Sequence, residues 1–191
     1  MTLLKIFLAA FLVDNVVLMR FLALCPFVGM STDEDKSVGM GLATAFVTVL
    51  ATTITWTIFI FILEPLGLLF LQILVFILVI AVMVQLVEFY LKKAAPGLYG
   101  AMGIYLPLIT TNCAIFAVTM ENISNGFTLI ESVVYALGVA LGFLLAMLLL
   151  AGIRKRTRTS PIPAFLQGTP ILFVATCLLS IVFMGFAGLV N

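Results

Sequence analysis

The sequence predicts an all-α integral membrane protein with six transmembrane helices, and three observations predict it. Apolar residues make up 64% of 191, charged residues only 9%, and the mean hydropathy is +1.36. Soluble domains carry about 25% charged residues, so this composition leaves nothing from which to build a water-exposed domain. The second observation is the spacing of the few charges, and the third is the side on which the basic ones fall. A single membrane domain, residues 1–191, accounts for the chain.

The intervals between charges mark the spans. Uncharged runs of 27, 23, 27 and 22 residues separate Lys36 from Glu64, Glu64 from Glu88, Lys93 from Glu121, and Glu131 from Arg154. Each holds the roughly 20 residues that cross a bilayer as a helix. Spans are predicted near 37–63, 68–90, 99–120, 130–152 and 170–190. A first span falls within 2–24, interrupted by Asp14 and Arg20. The opening "MTLLKIFLAAFLVDN" lacks the basic start and small-residue cleavage site of a secretory leader, and reads as part of the mature chain.

Direction follows from the basic residues. Lys36, Lys92, Lys93 and the "RKRTR" cluster at 154–158 fall after spans 1, 3 and 5, against Lys5 alone on the other side. Both termini are therefore expected outside, with a 154–169 loop in the cytoplasm. The cluster reads as a topology signal and not as a nucleic-acid patch, and the net charge of +1 gives no reason to invoke nucleic acid.

Two halves, about 1–95 and 96–191, resemble each other weakly: "SVGMGLATAFVTVLATT" (37–53) compares with "SVVYALGVALGFLLAML" (132–148). Three spans per half is an odd number, so the second half enters the membrane the opposite way. An inverted 3+3 repeat is the architecture this predicts. It pairs span 1 with span 4, the two irregular spans. Span 1 carries Asp14-Asn15, Arg20, Cys25-Pro26 and Gly29; span 4 carries Pro107, Thr110-Thr111-Asn112 and Cys113. Non-helical backbone at membrane depth is tolerated only where it packs on protein or lines a cavity. Pro26 reads as the residue that ends the first helix and frees the Cys25 sulfur. Cys113 falls about 20 Å into the membrane if span 4 starts near Gly100.

There is no histidine. The three cysteines are too few and too separated for a disulfide framework. Cys177, in an unbroken apolar run, reads as a small buried hydrophobe. Cys25 and Cys113 differ because each lies at a break. Two thiolates complete neither a tetrahedral zinc site nor a four-cysteine iron–sulfur cluster, so a metal centre here would need two ligands from another chain. Asp14, Arg20, Glu88 and Glu121 are the ionisable residues nearest the core. Asp14 and Arg20 suit either a neutralised pair or ion gating, while Glu88 and Glu121 read as span ends. Gly39-Met40-Gly41 and the Gly138…Gly142 spacing read as close helix contacts. No Gly-rich phosphate loop is present, and no nucleotide or flavin site is expected.

"FLALCPFVG", "GIYLPLITTNCAIF", "FILVIAVMVQLVE" and "FMGFAGLV" resemble the A-subunit family of the Rnf ion-translocating ferredoxin:NAD+ oxidoreductase, over nearly the whole chain. The homologous D and E subunits of the Na+-translocating NADH:quinone oxidoreductase are the near alternative; proline after the first cysteine favours Rnf. The resemblance implies that Cys25 and Cys113 ligate a 2Fe–2S cluster shared with the oppositely oriented, paralogous E subunit. It also implies assembly with Rnf subunits B, C, D and G, coupling to Na+ or H+ movement, and a place in the bacterial inner membrane. The chain then acts only as one subunit of a redox-driven translocase. Two other readings suit the same features: an inverted-repeat secondary transporter, and a purely structural subunit of an assembly.

Overall fold

The computed structural model describes residues 3–13, 15–31, 34–67, 69–94, 108–109, 111–159, 161, 163 and 166–185. Asp14, Pro107 and Thr110, most of the predicted 99–120 span ahead of Ile109, and the last six residues lie outside them. The described residues are helical with no strand. Helices α1 (Leu3–Leu8), α2 (Val16–Arg20), α3 (Leu24–Met30) and α4 (Glu34–Ile58) come first, and a π-helical turn at Ala9–Val13 extends α1. A second π turn (Phe59–Leu63) and α5 (Glu64–Leu66) continue α4 to Leu66. Then follow α6 (Gln72–Ala94), α7 (Cys113–Ser124), α8 (Leu129–Arg158) and α9 (Thr169–Met184).

Among the described residues three stretches are long and apolar enough to cross a membrane: Ser37–Leu66, Gln72–Tyr90 and Leu129–Arg158. Leu3–Val13, Cys113–Ser124 and Thr169–Met184 are shorter apolar helices. These helices overlap the six predicted spans, the fourth of them only over residues 113–120.

Helix α8 is the central post. In its most apolar window 56% is buried inside the protein, against 17% for α6. An α8 that is apolar on all sides suits this place, because most of its circumference meets other helices and the rest, with Leu137, Leu141 and Leu148, is an exposed apolar face. Its start is held by the Glu131 carboxylate: the Thr128 N–H and hydroxyl both donate to Glu131 Oε2, at 3.0 and 2.9 Å. Helix α4 lies along it, α7 packs on both, and α9 packs on α2 and α8. Helix α6 packs on α4 and leaves Ile73, Leu74, Ile77, Leu78, Val82, Leu86 and Phe89 exposed. In a bilayer such a face meets lipid or another protein chain.

Buried polarity on α4 is mostly absorbed within the helix. Thr44, Thr48 and Thr55 donate to the carbonyls of Met40, Thr44 and Ala51, at 2.8, 2.6 and 2.6 Å. Such back-bonding lets a threonine face the core without an orphaned hydroxyl.

The glycines do what their spacing predicts. A Cβ on Gly138 would meet Ala10 Cβ at 2.9 Å and the Phe7 carbonyl at 3.0 Å, so α1 lies directly on α8. Gly41 meets only the Leu144 side chain, whose end can rotate away while its Cβ stays 3.2 Å off. Gly41→Ala is therefore expected to cost under about 1 kcal/mol once that leucine rotates, read as a small shift in thermal midpoint.

One boundary needs correction. The basic cluster begins no 154–169 loop: residues 154–158 are the last turns of α8, which ends at the cap Thr159. Lys and Arg are good helix formers, and their charge is favourable at a helix C-terminus.

Candidate functional site

The first helix breaks at Asn15, and one side chain holds the break. Asn15 is 1% exposed. Its Oδ1 accepts from the N–H groups of Val17 and Leu18, at 3.2 and 3.4 Å, capping α2. Its Nδ2 donates to the Gly142 carbonyl at 2.9 Å, tying the break to α8. A Cβ on Gly142 would stand 2.9 Å from the Phe11 carbonyl and 3.2 Å from this Nδ2. Only glycine leaves room for the contact.

Directly after Arg20, α2 ends in a reversal. Phe21 and Ala23 both take left-handed backbone, φ 52° and 58°. Non-glycine residues in this region are strained, and such strain concentrates at functional sites. Ala23 then caps α3, whose first three residues are Leu24, Cys25 and Pro26. The reading of Pro26 as a helix terminator is thus overturned. Proline lacks the N–H that a first helical turn leaves unpaired in any case, so it starts α3 instead. At the other end of α3, Arg154 donates to the Val28 carbonyl at 3.1 Å and to Ser31 Oγ at 3.3 Å. Cys25 lies about 5 Å along the helix from that carbonyl.

Helix α7 is entered in a related way. Asn112, 4% exposed, accepts from the Ala114 N–H at 3.0 Å, and Cys113 is the first helical residue. The Asn112 Nδ2 is buried without an acceptor among the described residues. Cys113 Sγ approaches the Thr111 carbonyl at 3.9 Å. The two cysteines therefore share a setting: each is exposed, in the first turn of a helix that follows a break. Among the described residues no group of three or more His, Cys, Asp or Glu is gathered. Cys177 also corrects an expectation, since it is exposed on α9 and fills no gap in the core.

Depth can be counted along the α7–α8 hairpin. Glu121 lies eight residues after Cys113, about 12 Å of helix, and its Oε2 accepts from Tyr135 Oη at 2.7 Å. An equal distance along α8 from Tyr135 reaches Phe143, close to the centre of the 129–158 helix. Cys113 thus lies about 12 Å along α7 from the Glu121–Tyr135 bond.

Glu121 does more than end a span. It forms an ion pair with Arg20, the carboxylate side chain 20% and the guanidinium 43% exposed. This joins α2 to α7, and Tyr135 extends the link to α8. Asp14, the expected partner of Arg20, lies outside the described residues. Sequence reasoning misses both the Glu121 pairing and the tie from Asn15 to Gly142, which join residues far apart in the chain. The caps of Asn15 and Asn112 carry a local signal, an asparagine directly ahead of an apolar helical run.

These features define a helical integral-membrane protein whose first and fourth apolar segments are broken ahead of an exposed thiol. Residues 3–190 match the family model described as "Rnf-Nqr subunit, membrane protein". The chain belongs to this family. It is 52% identical over 188 residues to the A subunit of the ion-translocating oxidoreductase complex of Azoarcus sp. (strain BH72), covering 98% of this chain and 97% of the relative. It is 50% identical over 189 residues to the A subunit of the Na(+)-translocating ferredoxin:NAD(+) oxidoreductase complex of Acetobacterium woodii, covering 99% and 98%. The corresponding protein of Cereibacter sphaeroides (strain ATCC 17029 / ATH 2.4.9), named for the ion-translocating oxidoreductase complex, is 52% identical over 184 residues, covering 96% and 95%.

Proposed function

We propose that this chain is the A subunit of an ion-translocating ferredoxin:NAD+ oxidoreductase in a bacterial inner membrane. In this reading it carries electrons across the bilayer through a 2Fe–2S cluster held jointly with the paralogous E subunit. The observation that carries the function is the 50% identity, over almost the full length of both chains, to a protein named as the A subunit of such a complex. Coupling to Na+ in that relative is part of its name; the ion for this chain is Na+ or H+.

The donor set fits a shared cluster. Cys25 and Cys113 are two exposed thiols with no third metal-binding side chain gathered among the described residues, so the remaining ligands come from a partner. The cluster supplies one-electron oxidation and reduction where hydrocarbon about 30 Å thick otherwise separates donor from acceptor. This chain's residues hold it in place. The cap of Asn112 orients Cys113, and its unpartnered Nδ2 is a donor free to serve a nearby sulfur. The Asn15 tie and the Phe21–Ala23 reversal set where Cys25 emerges.

The inverted 3+3 arrangement with both termini outside belongs to the same proposal. Its support is the order of apolar helices, short–long–long then short–long–short, with the breaks in the first and fourth. Arg154 bound to Val28 and Ser31 also brings the ends of spans 1 and 5 together beside the basic last turns of α8.

The test is iron content and the reduced-state electron paramagnetic resonance spectrum of the purified complex. Cys25→Ser and Cys113→Ser are each expected to abolish the intramembrane cluster signal and ferredoxin-dependent NAD+ reduction, while Cys177→Ser changes neither. A complete signal in the Cys25 and Cys113 variants overturns the ligand assignment.

A further inference from the structure

At the end of the bundle away from Arg154, four buried polar atoms on three helices have no hydrogen-bond partner among the described residues. They are Thr52 Oγ1 on α4, Nδ2 and Oδ1 of Asn122 on α7, and Ser132 Oγ on α8. Each of these residues is 1% exposed. The three helices are linked to one another close to these residues. Trp56, one turn after Thr52, donates from Nε1 to the Phe127 carbonyl at 2.9 Å. The Phe127 N–H donates to the Asn122 carbonyl at 3.0 Å. The Phe127 ring packs on Tyr135, one turn after Ser132, with centroids 5.7 Å apart.

A buried polar atom without a partner is rare in folded proteins, and its usual explanation is an internal ligand. The chemistry of this set narrows the class. Asn122 needs an acceptor for its N–H and a donor for its oxygen, and the two hydroxyls each have a proton to give. A bare cation satisfies the oxygens and leaves every N–H and O–H unserved. Water both donates and accepts, and internal waters typically bridge such groups through about three hydrogen bonds.

We propose that Thr52, Asn122 and Ser132 form an internal water site between α4, α7 and α8. Its position has a chemical consequence. Glu121 precedes Asn122, and Tyr135, which donates to Glu121, stands one turn from Ser132. The site therefore lies within about one helical turn, along α7 and α8, of the residues that hold the Arg20–Glu121 pair. This inference is independent of the cluster assignment.

Brief X-ray radiolysis of the intact purified complex in 18O-enriched water tests it, because radicals form from internal water where it sits. Tyr135 and Phe143 lie on the same helix and are 7% and 2% exposed. After correction for the intrinsic reactivity of tyrosine and phenylalanine, Tyr135 is expected to take up 18O several-fold faster than Phe143. Asn122→Leu, which removes two of the four polar atoms, is expected to slow Tyr135 labelling toward the Phe143 rate. Thr52→Val and Ser132→Ala keep the shape of the site and serve the same purpose if the leucine variant does not assemble. Equal rates at Tyr135 and Phe143, or a Tyr135 rate indifferent to all three substitutions, overturn the proposal. A rate that changes when Na+ is exchanged for N-methylglucamine identifies a cation and overturns it as well.

Discussion

Gly142→Ala is expected to destabilise the protein by about 2–4 kcal/mol. The added Cβ falls 2.9 Å from the Phe11 carbonyl and 3.2 Å from Asn15 Nδ2, so it meets fixed backbone on one side and a bonded amide on the other. Overpacking of this kind costs about 1–3 kcal/mol. Displacing α1 also breaks the bond from Asn15 to the Gly142 carbonyl, a further contribution of about 1 kcal/mol. Gly41 provides the contrast, since its neighbour Leu144 can move aside. The measurement is the thermal midpoint of the purified complex, with a fall of several degrees for Gly142→Ala and little change for Gly41→Ala. Equal shifts at the two positions refute the argument. In the proposed function Gly142→Ala also lowers iron occupancy, because the break ahead of Cys25 loses its anchor.

Glu121→Leu is the second large effect. The carboxylate serves two helices at once, pairing with Arg20 of α2 and accepting from Tyr135 of α8. Its removal leaves the guanidinium in an apolar segment without this counter-charge, for which insertion scales give about 2.5–3.5 kcal/mol. The 43% exposure of the Arg20 side chain lowers the figure, to about 1–2 kcal/mol, since an exposed cation keeps part of its solvation. The lost Tyr135 bond adds about 1 kcal/mol. Arg20→Leu in the same chain is expected to recover most of the pair's share and none of the tyrosine's. A double-mutant cycle on thermal stability separates the two. Strict additivity of the two substitutions would exclude coupling between them.

The spans are legible because a charge in hydrocarbon is costly, so the 17 charged residues act as boundary markers. The glycine contacts are legible for a related reason: close backbone approach leaves small residues at helical spacing. What escapes sequence reasoning depends on tertiary partners. Arg20 meets Glu121 and Asn15 meets Gly142, pairs that no local pattern joins. Pro26 misleads because proline is compatible both with ending one helix and with beginning the next. The structure decides between these through the left-handed Phe21 and Ala23, and neither residue type announces such backbone. The basic cluster suggests a loop when charge alone marks the boundary, whereas helical propensity carries α8 through it. Cys25 and Cys113 do lie at breaks, as their sequence contexts indicate. Their role as ligands rests on family resemblance and on the experiment proposed above.

The bond from Asn15 to Gly142 joins residues 127 positions apart. A ribosome adds about 5–20 residues per second, so the carbonyl is made at least about 6 seconds after the amide that binds it. Through that interval the local cap of Asn15 on α2 can form, but the tie of the break to α8 cannot. The segment that presents Cys25 thus gains its tie to α8 only when the fifth apolar helix arrives, and the bond from Ser180 of α9 to the Leu18 carbonyl later still. Any cofactor that needs this thiol in position must be loaded after synthesis of the chain is nearly complete.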